Sequence, residues 1–316
     1  MLDTIIKTNA ENQILKGYQT KSNDTTVGGP PFFSAVVGFF LSQLFSWMKL
    51  PLIYAYTSSK VNSLLEANSI AGSLSNNLKM RSACPHFQLI YNPNEKERTL
   101  FLENPPLKFD PNDFDWKSDS FPVAIVGSVF HEFNNYDIFS FLQKKFSYIA
   151  FDPQGCFRQL SQGGEIILSE WMDPEILERI DCLKLSEIEA RYLNLGNDNK
   201  TIIKNILDTS ISTVLLTQGE KGAILGVSES EKKKKITYKI PAYTSNVIDE
   251  TGAGDVFLFS FATHFCTHRD VLDAAAFSTS VTSLFIEQKR FSWHFTEKMI
   301  KDRQQIIRSQ IREIHS

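Results

Sequence analysis

The sequence predicts an α/β fold, with one mostly parallel sheet covered by helices on both faces. Two observations carry this. From Phe121 onward, short apolar runs alternate with helical stretches, as strands do when crossover helices join them. The chain also has 316 residues, 42% of them hydrophobic. That suffices for one large core and is too apolar for global disorder.

The elements follow in order. Residues 1–27 are polar with short apolar pieces and suggest edge strands or loops. Gly28, Gly29, Pro30 and Pro31 then break the chain. Proline suits the first helical turn, where its missing N–H has no partner to lose. Phe32 to Met48 is uncharged, shorter than the ~20 apolar residues of a membrane span, and interrupted by Ser34, Ser42, Gln43 and Ser46. It reads as a buried helix. Leu50 to Ser59 reads as a buried strand. Phe87–Tyr91 and Arg98–Glu103 flank the polar NPNEKE, a hairpin with a charged tip.

PVAIVGSVF from Pro122, FSYIAFDPQG from Phe146 and DCLKL from Asp181 read as strands. Asp137–Lys145 and Glu175–Ile180 read as helices between them. Ser186 opens a further helix with Glu189 three residues on, a capping box. STVLLTQGEKGAIL is strand, turn, strand, and Lys232–Lys235 reads as a solvated hairpin tip. The tail from Glu297 reads as a charged amphipathic helix.

The formal net charge of −3 gives no basic field for nucleic acid. MLDTIIKTNAENQ is too polar for a signal peptide. Cys84, Cys156, Cys182 and Cys266 form no CxxC pair and read as buried thiols of a cytoplasmic protein. The six histidines form no metal constellation; His131 and His264 read as structural.

The chemistry concentrates in DETGAGD, Asp249 to Asp255, between an apolar step and the apolar VFLFSFATHF. A loop therefore enters a buried helix there. The first N–H groups of a helix have no internal partner and lie at the positive end of its dipole. Gly252, Ala253 and Gly254 leave that backbone open to an anion. Asp255 is then placed to accept a proton from an attacking hydroxyl, as a general base in phosphoryl transfer does. On spacing alone, a glycine-rich turn whose Asp caps the helix fits equally well.

The motif resembles the D-x-T-G-A-G-D signature of the ribokinase-like (PfkB) carbohydrate kinases. Further segments are similar to that family: VLLTQGEKGAIL with Thr217, Gly219 and Gly222; CLKLSEIEA with Lys184 and Glu189; GGPPFFSA with Gly28 and Gly29; and MLDTII with Asp3. FDPQGCFRQL, with Asp152, Gln154 and Arg158, is similar to the archaeal and myo-inositol-kinase-like subgroup.

The resemblance implies a ribokinase-like three-layer sandwich over 1–316, with lid strands from about 8–27 and 86–104. It implies Asp255 as base with Gly252, Ala253 and Gly254 as anion hole. ATP would be bound by Thr217, Gly219, Gly222, Lys184 and Thr251. Substrate would be bound by Asp3, Gly28, Gly29, Phe33, Asp152, Gln154, Arg158 and Asp255. Mg²⁺ would be held through water by Glu189, with Asp249 a second candidate. A homodimer through the lid strands is a further family habit.

Three departures from the family stand out. Ser186 replaces its Asn, and Phe32 and Phe33 stand where ribokinase has a sugar-contacting Asn. The family's buried first strand has no counterpart before Asp3, which suggests a truncated gene model, testable by the mass of the native protein. Three readings follow: an ATP-dependent kinase of a small sugar or cyclitol, a nucleoside kinase with Phe32 and Phe33 stacking on a base, or an inactive ligand-binding member of the fold.

Overall fold

The computed structural model describes residues 2–7, 24–66, 76–91, 99–104, 108–116, 122–229, 234–289 and 292–314. The first strands form a small sheet. In it β1 (Leu2–Lys7) pairs antiparallel with β2 (Asp24–Val27). Helix α1 (Pro30–Leu44) follows, with Gly29 at its N-cap and Phe32, Phe33, Val36, Val37 and Leu41 buried. Next come β3 (Ile53–Thr57), α2 (Ser59–Glu66) and β4 (Asn76–Met80), with β3 and β4 a parallel pair of their own. Strands β5 (His86–Tyr91) and β6 (Thr99–Asn104) are the expected hairpin and complete the small sheet in the order β2-β1-β5-β6. The residues of its charged tip, 92–98, lie outside those described, as does most of the 8–27 stretch expected to supply lid strands.

The central sheet begins at β7 (Val123–Gly127), followed by α3 (Tyr136–Gln143) and β8 (Tyr148–Asp152). A two-stranded ribbon, β9 (Arg158–Leu160) and β10 (Ile166–Leu168), precedes α4 (Pro174–Leu177). Then come β11 (Cys182–Ser186), α5 (Glu187–Arg191), α6 (Asn199–Ile206), β12 (Thr213–Thr217), β13 (Ala223–Glu229) and β14 (Lys234–Ile240). Helices α7 (Ala253–His268), α8 (Val271–Ile286) and α9 (Glu297–Gln310) lead to β15 (Arg312–Glu313). The sheet order is β15-β14-β13-β12-β11-β8-β7. Strands β7, β8, β11 and β12 run parallel, and β13, β14 and β15 add antiparallel.

Burial follows the two-residue period of a strand. Ile149, Phe151, Leu183, Leu185, Val214 and Leu216 pack against α3, α4 and α6. Their neighbours Tyr148, Ala150, Cys182 and Leu215 pack on the other face with Leu258 and Phe261 of α7. Both faces are covered, so the strands read as continuous apolar runs.

Two expectations change. β3 is half-buried instead of buried, because it stands apart from the central sheet and lines a cavity. The tail is helical only to Gln310; Arg312 and Glu313 then pair with Lys239 and Tyr238 at the sheet's edge. All four cysteines are buried and free. No helix among the described residues is long and apolar enough to cross a membrane.

His264 is buried on α7, stacked on His268 at 4.2 Å and packed against Phe277. Burial, and then the neighbouring His268, pull its pKa from 6.5 down to about 4. The unfolded chain therefore binds a proton below 6.5 that the folded chain refuses until about 4. This contribution to stability is full above pH 6.5 and is lost as pH falls from there towards 4. Thermal unfolding of His264→Phe should show a shallower loss across that window than the wild type; parallel curves would refute the assignment.

Candidate active site

The parallel strands β7, β8, β11 and β12 end at Gly127, Asp152, Ser186 and Thr217, and their register sets these residues along one edge. Ligands of open α/β sheets bind outside this carboxyl edge. The N-terminus of α7 arrives at the same edge. The strand period puts Asp152 on the face of Tyr148 and Ala150, and Lys184 on the face of Cys182, which is the α7 face.

There Lys184 Nζ donates to Asp152 Oδ2 at 2.7 Å, with both side chains 5% exposed. Burial alone would lower the lysine's pKa, but the carboxylates of Asp152, Glu189 and Asp255 hold it above the ordinary value. Burial pushes the Asp152 carboxyl upward, with Lys184 pulling against it. Asp152 Oδ1 also accepts from the Gln154 N–H at 3.1 Å.

The DETGAGD turn is built as its sequence implied, with one refinement. Asp249 Oδ1 accepts from Thr251 N–H at 2.9 Å. Gly252 is left-handed at φ 84° and caps α7. A Cβ there would lie 2.4 Å from the Phe33 ring, so the turn rests on that ring. The Ala253 N–H donates to the Glu250 carbonyl at 3.0 Å and closes the turn. Gly254 follows it in the first turn of α7. A Cβ on Gly254 would stand 2.8 Å from Lys184 Nζ, so the ammonium lies directly against the helix start. Asp255 sits in that first turn and lines a cavity of about 390 Å³ with Asp152, Gly29, Ser34 and Glu132.

The other expected residues distribute around this centre. Thr217 Oγ1 donates to the Leu185 carbonyl at 3.2 Å. Gly219 and Gly222 have φ 57° and 92° in the turn after β12. The capping box is present: Ser186 Oγ accepts from Glu189 N–H, and Glu189 Oε2 accepts from Ser186 N–H at 2.8 Å. Gly28 and Gly29 are buried where β2 leads into α1.

Three further expected residues are placed by packing and register. Phe33 is 1% exposed, under Gly252 and beside Phe285, so it supports the turn and does not line the cavity. Arg158 is 8% exposed, donates to the Val129 carbonyl at 3.0 Å and lies over the Phe87 ring of the small sheet. Its guanidinium thus lies between the loop after β7 and the small sheet. Asp3 lies in β1, opposite Thr26 and Phe87.

The structure adds two carboxylates that sequence reasoning missed. Glu132 Oε2 accepts from Ser128 Oγ, Val129 N–H and Phe130 N–H at 2.9, 2.9 and 2.7 Å, fixing the loop after β7 against the cavity. Glu187 Oε1 accepts from Asn199 Nδ2 and Gln218 Nε2 at 2.9 and 3.0 Å, tying the β12 turn to α5. The Asn199 hydrogen bond leads the causes that lower its pKa. An acid just after a strand was the available signal in both segments, but it is a weak one.

Residues 166–292 match the profile of the pfkB family carbohydrate kinases. A ribokinase of Staphylococcus aureus is 32% identical over 120 residues, which cover 36% of this chain and 38% of that protein. The match thus spans well under half of that relative's length. Ribokinase from Thermotoga maritima superposes with a TM-score of 0.70 at 16% identity, covering 96% of each chain. A pyrophosphate-dependent kinase in the ribokinase family, complexed with a pyrophosphate analog and myo-inositol, gives 0.69 at 17% identity, covering 91% of this chain and 93% of that one. The fold is therefore ribokinase-like. Within it, residues 166–292 are similar to the pfkB family carbohydrate kinases.

Proposed function

We propose that the chain transfers the γ-phosphoryl group of ATP to a hydroxyl of a small sugar or cyclitol. The observation supporting this is the placement of Asp255 at the start of α7, beside the Gly252–Gly254 turn and in one cavity with Asp152. In this reading the acceptor hydroxyl lies against Asp255, which takes its proton as the oxygen bonds to phosphorus and ADP leaves. The proton then passes from Asp255 to solvent. The helix start faces the charge developing on the transferred group. Exposed Val247 and Ile248, just before the turn, offer apolar surface to the nucleoside part of the donor.

Among the described residues no cluster of three His, Cys, Asp or Glu side chains forms a metal cage. Mg²⁺ keeps several waters and binds mainly through phosphates and one or two carboxylates. Glu189 through water, and Asp249, are the residues that would hold it. When bound it neutralises charge on the phosphates.

Neither Phe32 nor Phe33 lines the cavity that Asp152 and Asp255 share, which weighs against the nucleoside reading. A sugar or cyclitol acceptor is favoured accordingly. The test is ADP release from Mg²⁺–ATP with myo-inositol, ribose, fructose and its phosphates, adenosine, cytidine and guanosine, repeated with pyrophosphate as donor and phosphate release as readout. Turnover with a sugar or cyclitol is the expected result. Turnover confined to nucleosides would overturn the acceptor class. ATP binding without any turnover would favour an inactive, ligand-binding member of the fold.

A further inference from the structure

We infer that Lys184 is a positioning residue for phosphoryl transfer: clamped by Asp152 beneath Gly254, its ammonium supplies the positive charge that lets the DETGAGD turn hold an anion. This rests on reading that turn as the phosphoryl site, and it reassigns Lys184 from direct nucleotide contact.

A lysine in the middle of a buried strand is costly, because a charge leaving water loses its solvation. Lys184 is 4% exposed. It is retained there with an equally buried partner, Asp152 at the end of β8, at 2.7 Å. Alone, that pair would be neutral and electrostatically idle. Its surroundings make it otherwise. The carboxylates of Asp152, Glu189 and Asp255 all act on this one ammonium. A phosphate brought to the start of α7 would meet three negative charges, against which a helix N-terminus offers only about half a unit of positive charge. The ammonium offsets them where it matters, because Nζ lies against Gly254 at the first turn of the helix.

Gly254 is explained by the same contact. The space that its side chain would fill holds the ammonium and Cε of Lys184, at 2.8 and 3.3 Å. The clamp to Asp152 keeps that side chain from swinging away. Lys184 is thus aimed at the helix start by two neighbours, one that attracts it and one that makes room.

The test compares Lys184→Met, Lys184→Arg and the neutral pair Asp152→Asn/Lys184→Met. The neutral pair guards against a fold lost merely because Asp152 is left buried and alone. Lys184→Met and the neutral pair are expected to lose about 10²–10³-fold in kcat, the scale for removing one preorganised charge or donor. KM for ATP should change much less, because the nucleoside portion still binds. Lys184→Arg should recover most of kcat.

A second readout needs no turnover. Inorganic pyrophosphate carries no nucleoside, so its affinity by calorimetry reports on the turn. It should weaken at least about tenfold in the folded neutral pair, a loss of one close charge interaction. Unchanged pyrophosphate affinity in that variant overturns the inference. So does a kcat loss that Lys184→Arg shares in full, since charge would then not be what matters. If the wild type shows no kinase activity, the proposed function fails while pyrophosphate binding still decides the role of Lys184.

Discussion

Asp255→Asn is expected to lower kcat by about 10²–10⁴-fold, the usual scale for losing a positioned general base. Asn has the size of Asp and cannot take the acceptor's proton. Asp255 stands in the first turn of α7, facing a cavity it shares with Asp152, Ser34 and Gly29. KM for ATP should hold within a few-fold, because in the proposed reading the donor is bound by the turn and by the loops after β11 and β12. Steady-state kinetics with a competent acceptor separates the two parameters. A variant that keeps the wild-type kcat would show that DETGAGD is an anion-binding turn and that the base lies elsewhere.

Gly252→Val should be the most destabilising single change at the site. Gly252 holds φ 84° and has the Phe33 ring 2.4 Å from where a Cβ would stand. A β-branched residue in left-handed backbone costs roughly 1–2 kcal/mol, and forcing methyl groups into a packed aromatic contact roughly 1–3 more. Phe33 is 1% exposed and touches Phe285, so it has little room to retreat. A loss of about 2–5 kcal/mol, read as a lower Tm or denaturation midpoint, is expected. Phosphoryl transfer should fall with it, since the turn can no longer sit on the ring. An unchanged Tm would mean that the turn is not held by Phe33.

How much of this was legible depended on distance along the chain. The turn, the capping box of Ser186 and Glu189, and the β5–β6 hairpin are written in neighbouring residues, so local spacing exposed them. The Asp152–Lys184 pair was not legible in this way. It needs the register that sets Cys182 beside Ala150 and the strand period that turns both side chains to the α7 face. Nor was the place of β1, whose parallel partner β5 lies far downstream. β15 spans two residues, too few to show a pattern. Phe33 and Arg158 were read by family position as ligand contacts. Their packing, an apolar ring under a left-handed glycine and a guanidinium on a carbonyl, is something a motif does not display.

The central claim is that phosphoryl transfer occurs at the Asp255 turn. The most direct measurement is transfer of label from γ-labelled ATP to the competent acceptor, in a single turnover with enzyme in excess, for wild type and Asp255→Asn side by side. The account predicts label on an acceptor hydroxyl with the wild type, and transfer slowed by at least about a hundredfold with the variant. Equal single-turnover rates for the two proteins would contradict it.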